Sequence, residues 1–127
     1  MSPLATRDLA RDPAGWARSL GISREAVELY LASESIDLHV DSFIWNRILR
    51  YDLRARHGDG LLGARFYSMV DLPRVREARM TGGIWVITTN PLRGPEGRAR
   101  ACVENIRRLQ GIFESVPVEC QVVRNVR

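Results

Sequence analysis

Lysine is absent: all 19 basic residues are arginine. The chain therefore offers no Schiff-base, phosphate-loop or carbamylated lysine. Cysteine is scarce. Cys102 and Cys120 are too few for a disulfide scaffold or a four-thiolate zinc site. The N-terminus lacks an apolar stretch behind a basic start, so no secretory signal is visible. A cytoplasmic location with reduced thiols is the expectation. No apolar run is long enough for a membrane span. Nor is there a block of like charge. The net charge is +4, and 15 acids are interleaved with the arginines. The densest stretch, Arg47 to Arg79, holds eight arginines and reads as solvated helix faces, so a nucleic-acid partner is not expected.

What remains is an ordinary globular balance over 127 residues, 45% hydrophobic and 27% charged. That length fits one domain, able to bury about two-thirds of the surface its unfolded form exposes.

The first third reads as helices. Asp12-Pro13 predicts a cap and first helical position for a helix through Trp16 and Leu20, stopped by Gly21. Ser23 caps a second helix with Ala26, Val27, Tyr30 and Leu31 on one face, broken at Ser33-Glu34-Ser35. Ile36 to Asp41 then alternates with period two: Ile36, Leu38 and Val40 on one face, Asp37, His39 and Asp41 on the other. Phe43 to Leu49 reads as one or two helical turns. Tyr51 to Val70 reads as a long loop with partial helix.

Asp71-Leu72-Pro73 is a second cap-and-proline start, leading into a short exposed helix through Arg79. Gly82-Gly83 ends the connection. Ile84 to Thr89 is a β-prone run suited to a strand buried on both faces. From about Glu96 to Phe113 the residues Ala99, Cys102, Val103, Ile106, Leu109 and Phe113 make an apolar helical stripe. On it Cys102 reads as packing; Arg98, Arg100, Arg107 and Arg108 read as a solvated face. Cys120 to Val123 is a candidate third strand. This β-α-β-α rhythm is that of a parallel α/β fold. Only two or three strands are present, whereas a (β/α)₈ barrel takes about 250 residues. The chain is therefore expected to be the opening portion of something larger.

His39-x-Asp41 carries the most chemistry. Residues two apart on a strand share a face, so an imidazole and a carboxylate point into one volume. In a parallel barrel that face is the interior, and the C-terminal ends of strands carry the active site. An imidazole nitrogen and a carboxylate oxygen suit zinc. A satisfied His–Asp hydrogen bond, or a surface pair, is the competing reading. His57 reads as a solvent-facing loop residue, and Trp45 and Trp85 as core or barrel-wall anchors.

Ile36-Asp37-Leu38-His39-Val40-Asp41-Ser42 resembles the first strand of the membrane dipeptidase family, the renal-dipeptidase type of zinc peptidase, with its D-x-H-x-D signature. Val70 to Glu77 is similar to that family's "DLPRLREG" helix start, and Thr81 to Val86 to its "GG-x-W" entry to the second strand. The resemblance runs from about Ile36 to Phe113. It implies a metal-dependent hydrolase built on a (β/α)₈ TIM-type barrel, in which two zinc ions cleave dipeptides through an activated water. His39 and Asp41 would be first-strand metal ligands. The family's bridging glutamate, further histidines and acid/base carboxylate come from later strands, so catalytic groups are expected beyond Arg127. Residues 36–127 would be the first two to three β/α units and 1–35 a helical extension.

The sequence departs from the family at Val40 and Ser42-Phe43, where an asparagine and a proline are usual, and at Arg79-Met80, where glycines are usual. A relative with a different substrate, or a degenerate paralogue, stays open. The alternatives are a freestanding α/β binding or assembly module that pairs its open sheet edge with another chain, as in a homo-oligomer, and an arginine-driven nucleic-acid binder with steep salt dependence.

Overall fold

Asp12 and Pro13 start a helix as the sequence predicts. In this computed structural model, which describes residues 12–57, 70–116 and 120–125, α1 spans Pro13–Leu20. The Asp12 carboxylate accepts from Gly15 N at 2.8 Å. Gly21 ends the helix at φ 68°, the left-handed conformation that glycine adopts without a Cβ clash. Ser23 caps α2 (Arg24–Ala32) through Ala26 N at 3.1 Å. The two helices pack through Ala17, Val27 and the Trp16–Tyr30 ring pair, centroids 5.9 Å apart. Of the expected α2 face, Val27 is fully buried, Tyr30 and Leu31 are half-buried, and Ala26 is exposed. The Tyr30 hydroxyl donates to Ala78 O and so ties this hairpin to a later helix.

β1 (Ile36–Val40) pairs in parallel with β2 (Gly82–Trp85). Ile36 sits opposite Gly82, Asp37 opposite Gly83 and Val40 opposite Trp85, so three steps on β1 match two on β2. This is a bulge on β1, and the Asp37 carboxylate accepts from His39 N at 2.8 Å within it. The expected common face of Ile36, Leu38 and Val40 is therefore broken. Val40 is 1% exposed, whereas Ile36 and Leu38 are 57% and 70% exposed.

β2 also differs from its expected bounds and burial. It begins at Gly82-Gly83, because those glycines pair with Ile36 and Asp37 across the sheet. It ends at Trp85, with Val86 N donating to Val40 O as the last rung. Ile84 is 57% exposed, so the strand is not buried on both faces.

Between the strands come α3 (Phe43–Leu49) and α4 (Leu72–Glu77), and α5 (Pro95–Glu114) follows β2. Asp71 caps α4 by accepting from Arg74 N at 2.9 Å. α4 was expected to be an exposed helix; instead Asp71 and Leu72 are buried, because Leu72 N donates to Leu53 O at 2.8 Å and docks its start on the preceding loop. Most of the long loop lies outside the described residues.

The core gathers Phe43, Tyr51, Leu53 and Leu109, with Trp45, Trp85, Ile87, Ile112 and Phe113 packed on it. Trp85 meets Phe113 edge to face at 5.3 Å. Both tryptophans thus serve as core anchors. Only the C-terminal half of the α5 stripe is engaged: Leu109 is buried, while Val103 and Ile106 are exposed. Cys102 is half-buried. Cys120 to Val123 forms no strand. Among the described residues no helix is long and apolar enough to cross a membrane.

Candidate functional site

His39 is the penultimate residue of β1, and Asp41 follows its last one. Nε2 of His39 lies 3.1 Å from Oδ2 of Asp41. Three local features hold the pair. The bulge contact from Asp37 fixes the His39 backbone, and parallel pairing with β2 fixes the strand. The Asp41 carbonyl accepts from Ile44 N at 3.0 Å, which sets the turn into α3. One turn into that helix, Arg47 donates to the carbonyl and, at 3.2 Å, to the hydroxyl of Thr88. The chain that leaves β2 is thereby held against the helix that leaves β1.

The pair stands at hydrogen-bond distance on the surface, as the competing reading of the sequence has it. Two donors each about 2.1 Å from one zinc at a tetrahedral angle stand about 3.4 Å apart, close to the 3.1 Å between these atoms. Among the described residues no cluster of three or more His, Cys, Asp or Glu side chains is formed, so the set stops at two. The expected interior position is not seen. The His39 and Asp41 side chains are 69% and 56% exposed, and neither lines the cavities of about 540 and 560 Å³ elsewhere in the chain. The physical reason is the small sheet: among the described residues it has two strands, and no third one faces the pair. Compared with family models, curated proteins and solved structures, the chain matches none.

A second polar cluster has no counterpart in the sequence reading. Asp71, fully buried, accepts from His57 N at 2.9 Å, from Arg74 Nε at 2.7 Å and from the capped Arg74 N. Arg74 also donates to the Tyr51 hydroxyl at 3.3 Å, and that hydroxyl donates to Val70 O at 3.1 Å. Burial first, and then the Asp71 charge, push the Tyr51 phenol up to about 12. His57 is not solvent-facing as expected. Its ring stacks on Tyr51 at 3.9 Å, and Nε2 lies 2.7 Å from Asp52 O. Beside it Arg56 and Glu77 form a bidentate pair at 2.9–3.0 Å. Every group of this network contacts protein, so it reads as the clasp between the loop after α3 and the start of α4. The Asp71-x-x-Arg74 spacing was its one visible signal.

Proposed function

We propose that this chain is the N-terminal portion of a zinc-dependent, dipeptidase-like hydrolase of (β/α)₈ architecture, in which His39 and Asp41 hold one metal ion. The observation that carries this reading is the convergence of Nε2 and Oδ2 to 3.1 Å at the C-terminal end of a strand in a parallel pair. The resemblance to the membrane dipeptidase family supports it with a motif that includes this pair. A zinc ion held there would lower the pKa of a bound water and polarise a scissile carbonyl. This chain's own contribution is placement. Asp37 holds the His39 backbone, β2 holds the strand, and Arg47 holds the segment after β2 at the same end of the sheet.

A catalytic zinc usually keeps three protein ligands, and this pair supplies two. The chain by itself is therefore expected to bind zinc weakly and to leave dipeptides intact. Equilibrium dialysis against zinc tests the assignment: weak binding that disappears in both His39→Ala and Asp41→Ala is expected. Equal binding by the wild type and both variants would overturn it. Dipeptide hydrolysis by this chain, abolished by a chelator, would overturn the claim that further ligands are required.

A freestanding, non-catalytic module is the second reading. The exposed apolar residues Ile36, Leu38 and Ile84 on a two-stranded sheet favour it, since such a sheet is stabilised by another chain. A discrete dimer in sedimentation would support it.

A further inference from the structure

A cavity of about 560 Å³ lies among β2, α4, the C-terminal half of α5 and residues 120–123. Its apolar wall includes Val75, Met80, Ile106, Leu109 and Phe113. None of the described residues that line it is an Asp, Glu, Arg or His, although 27% of the chain is charged. An ion placed there would give up its water without meeting an opposite charge, so the cavity selects uncharged molecules.

The polar side chains on the wall are neutral: Thr81, Gln110, Gln121 and Trp85. The Thr81 hydroxyl donates to Ser35 O at 2.9 Å and is thereby satisfied. Trp85 differs. Its ring is held edge to face against Phe113 at 5.3 Å, yet its indole N–H makes no hydrogen bond among the described residues. A Cβ at Gly83 would lie 3.5 Å from that nitrogen and 3.6 Å from Met80 Cε. The missing side chain of Gly83 therefore leaves room beside the N–H, next to the cavity wall. An indole nitrogen only donates, so the group that completes it is an acceptor.

We propose that this cavity binds one small uncharged molecule with an apolar, ring-sized body and a carbonyl oxygen. The carbonyl accepts from Trp85 Nε1, and the body lies along Met80, Ile106 and Phe113. Apolar burial supplies the affinity, and the single hydrogen bond fixes the orientation. Nothing in this depends on His39 and Asp41.

The test is an NMR titration of the full chain with acetophenone, following the Trp85 indole N–H. Ethylbenzene has nearly the same shape without the oxygen, and benzoate carries the same ring with a charged acceptor. Saturable acetophenone binding that moves the N–H downfield is expected, whereas ethylbenzene leaves it without that movement. Benzoate should bind at least about tenfold more weakly than acetophenone, because its charge is desolvated without compensation. Trp85→Phe should weaken acetophenone about fivefold more than it weakens ethylbenzene, the value of one neutral hydrogen bond. Ile106→Glu, at a position already 40% exposed, puts a carboxylate on the wall and should weaken both neutral probes about tenfold. The proposal is overturned by the absence of a saturable shift, by benzoate binding as tightly as acetophenone, by the same N–H movement with ethylbenzene, by equal losses for the two neutral probes in Trp85→Phe, or by undiminished binding to Ile106→Glu. Movement of the N–H with protein concentration alone would show a second copy in the cavity and would overturn it as well.

Discussion

Replacing Asp71 by alanine should be among the most damaging single changes in the chain. The carboxylate is fully buried, caps α4 through Arg74 N, accepts from His57 N and pairs with Arg74 Nε at 2.7 Å. Loss of a cap alone costs about 1 kcal/mol. Removing one partner of a buried ion pair costs about 3–5 kcal/mol, because the other charge is left without compensation. Arg74 is part-exposed and water recovers some of that, and the two losses share the same atoms, so the net is about 3 kcal/mol. With a urea slope of about 1.5 kcal/mol/M, the unfolding midpoint should fall by about 2 M. Asp71→Asn keeps an acceptor for the cap and should lose about half as much. In the double variant with Arg74→Ala, the loss should be smaller than the sum of the single losses, since both remove the same Asp71–Arg74 contact. A midpoint shift under about 0.5 M for Asp71→Ala would refute the view that this carboxylate clasps the loop to α4.

Tyr51 gives the chain a defined alkaline weakness. Its hydroxyl ionises near 10 in an unfolded chain and near 12 when folded. Between those values the unfolded chain has lost a proton that the folded chain keeps. Stability is thus intact below pH 10 and falls by about 2–3 kcal/mol as the pH rises to 12. Stability measured by denaturant across that range should show this slope in the wild type and lose it in Tyr51→Phe, at a cost near neutrality of about 1 kcal/mol for the lost hydrogen bonds. Arg50 ends α3 at φ 55°, with Tyr51 N donating to Trp45 O at 3.3 Å. A left-handed side-chain residue costs about 1–2 kcal/mol, and glycine returns part of that gain through its freer unfolded state. Arg50→Gly should therefore stabilise by about 0.5–1 kcal/mol in thermal unfolding.

The parts of the fold legible in the sequence are those decided within a few residues. Asp12, Ser23 and Asp71 each accept from an N–H three positions on, and all three helix starts fall where those residues place them. The His39–Asp41 contact is equally local, since the two residues are two positions apart. What depends on distant partners was not legible. Gly82-Gly83 looks like a turn until Ile36 and Asp37, far back in the chain, draw it into a sheet. His57 looks like a loop residue until Tyr51 stacks beneath its ring and Asp71, 14 positions on, takes its N–H. The bulge at Leu38-His39 is likewise a property of the pairing, and it removes Val40 from the face that alternation assigns to it.

The most direct test of the metal reading is to follow the ring signals of the chain's two histidines, His39 and His57, by NMR during a zinc titration at neutral pH. The account predicts a progressive shift or broadening of the His39 ring, absent in Asp41→Ala, while the His57 ring, stacked on Tyr51, stays where it is. A His39 ring that ignores zinc, or responds equally without the Asp41 carboxylate, would contradict it.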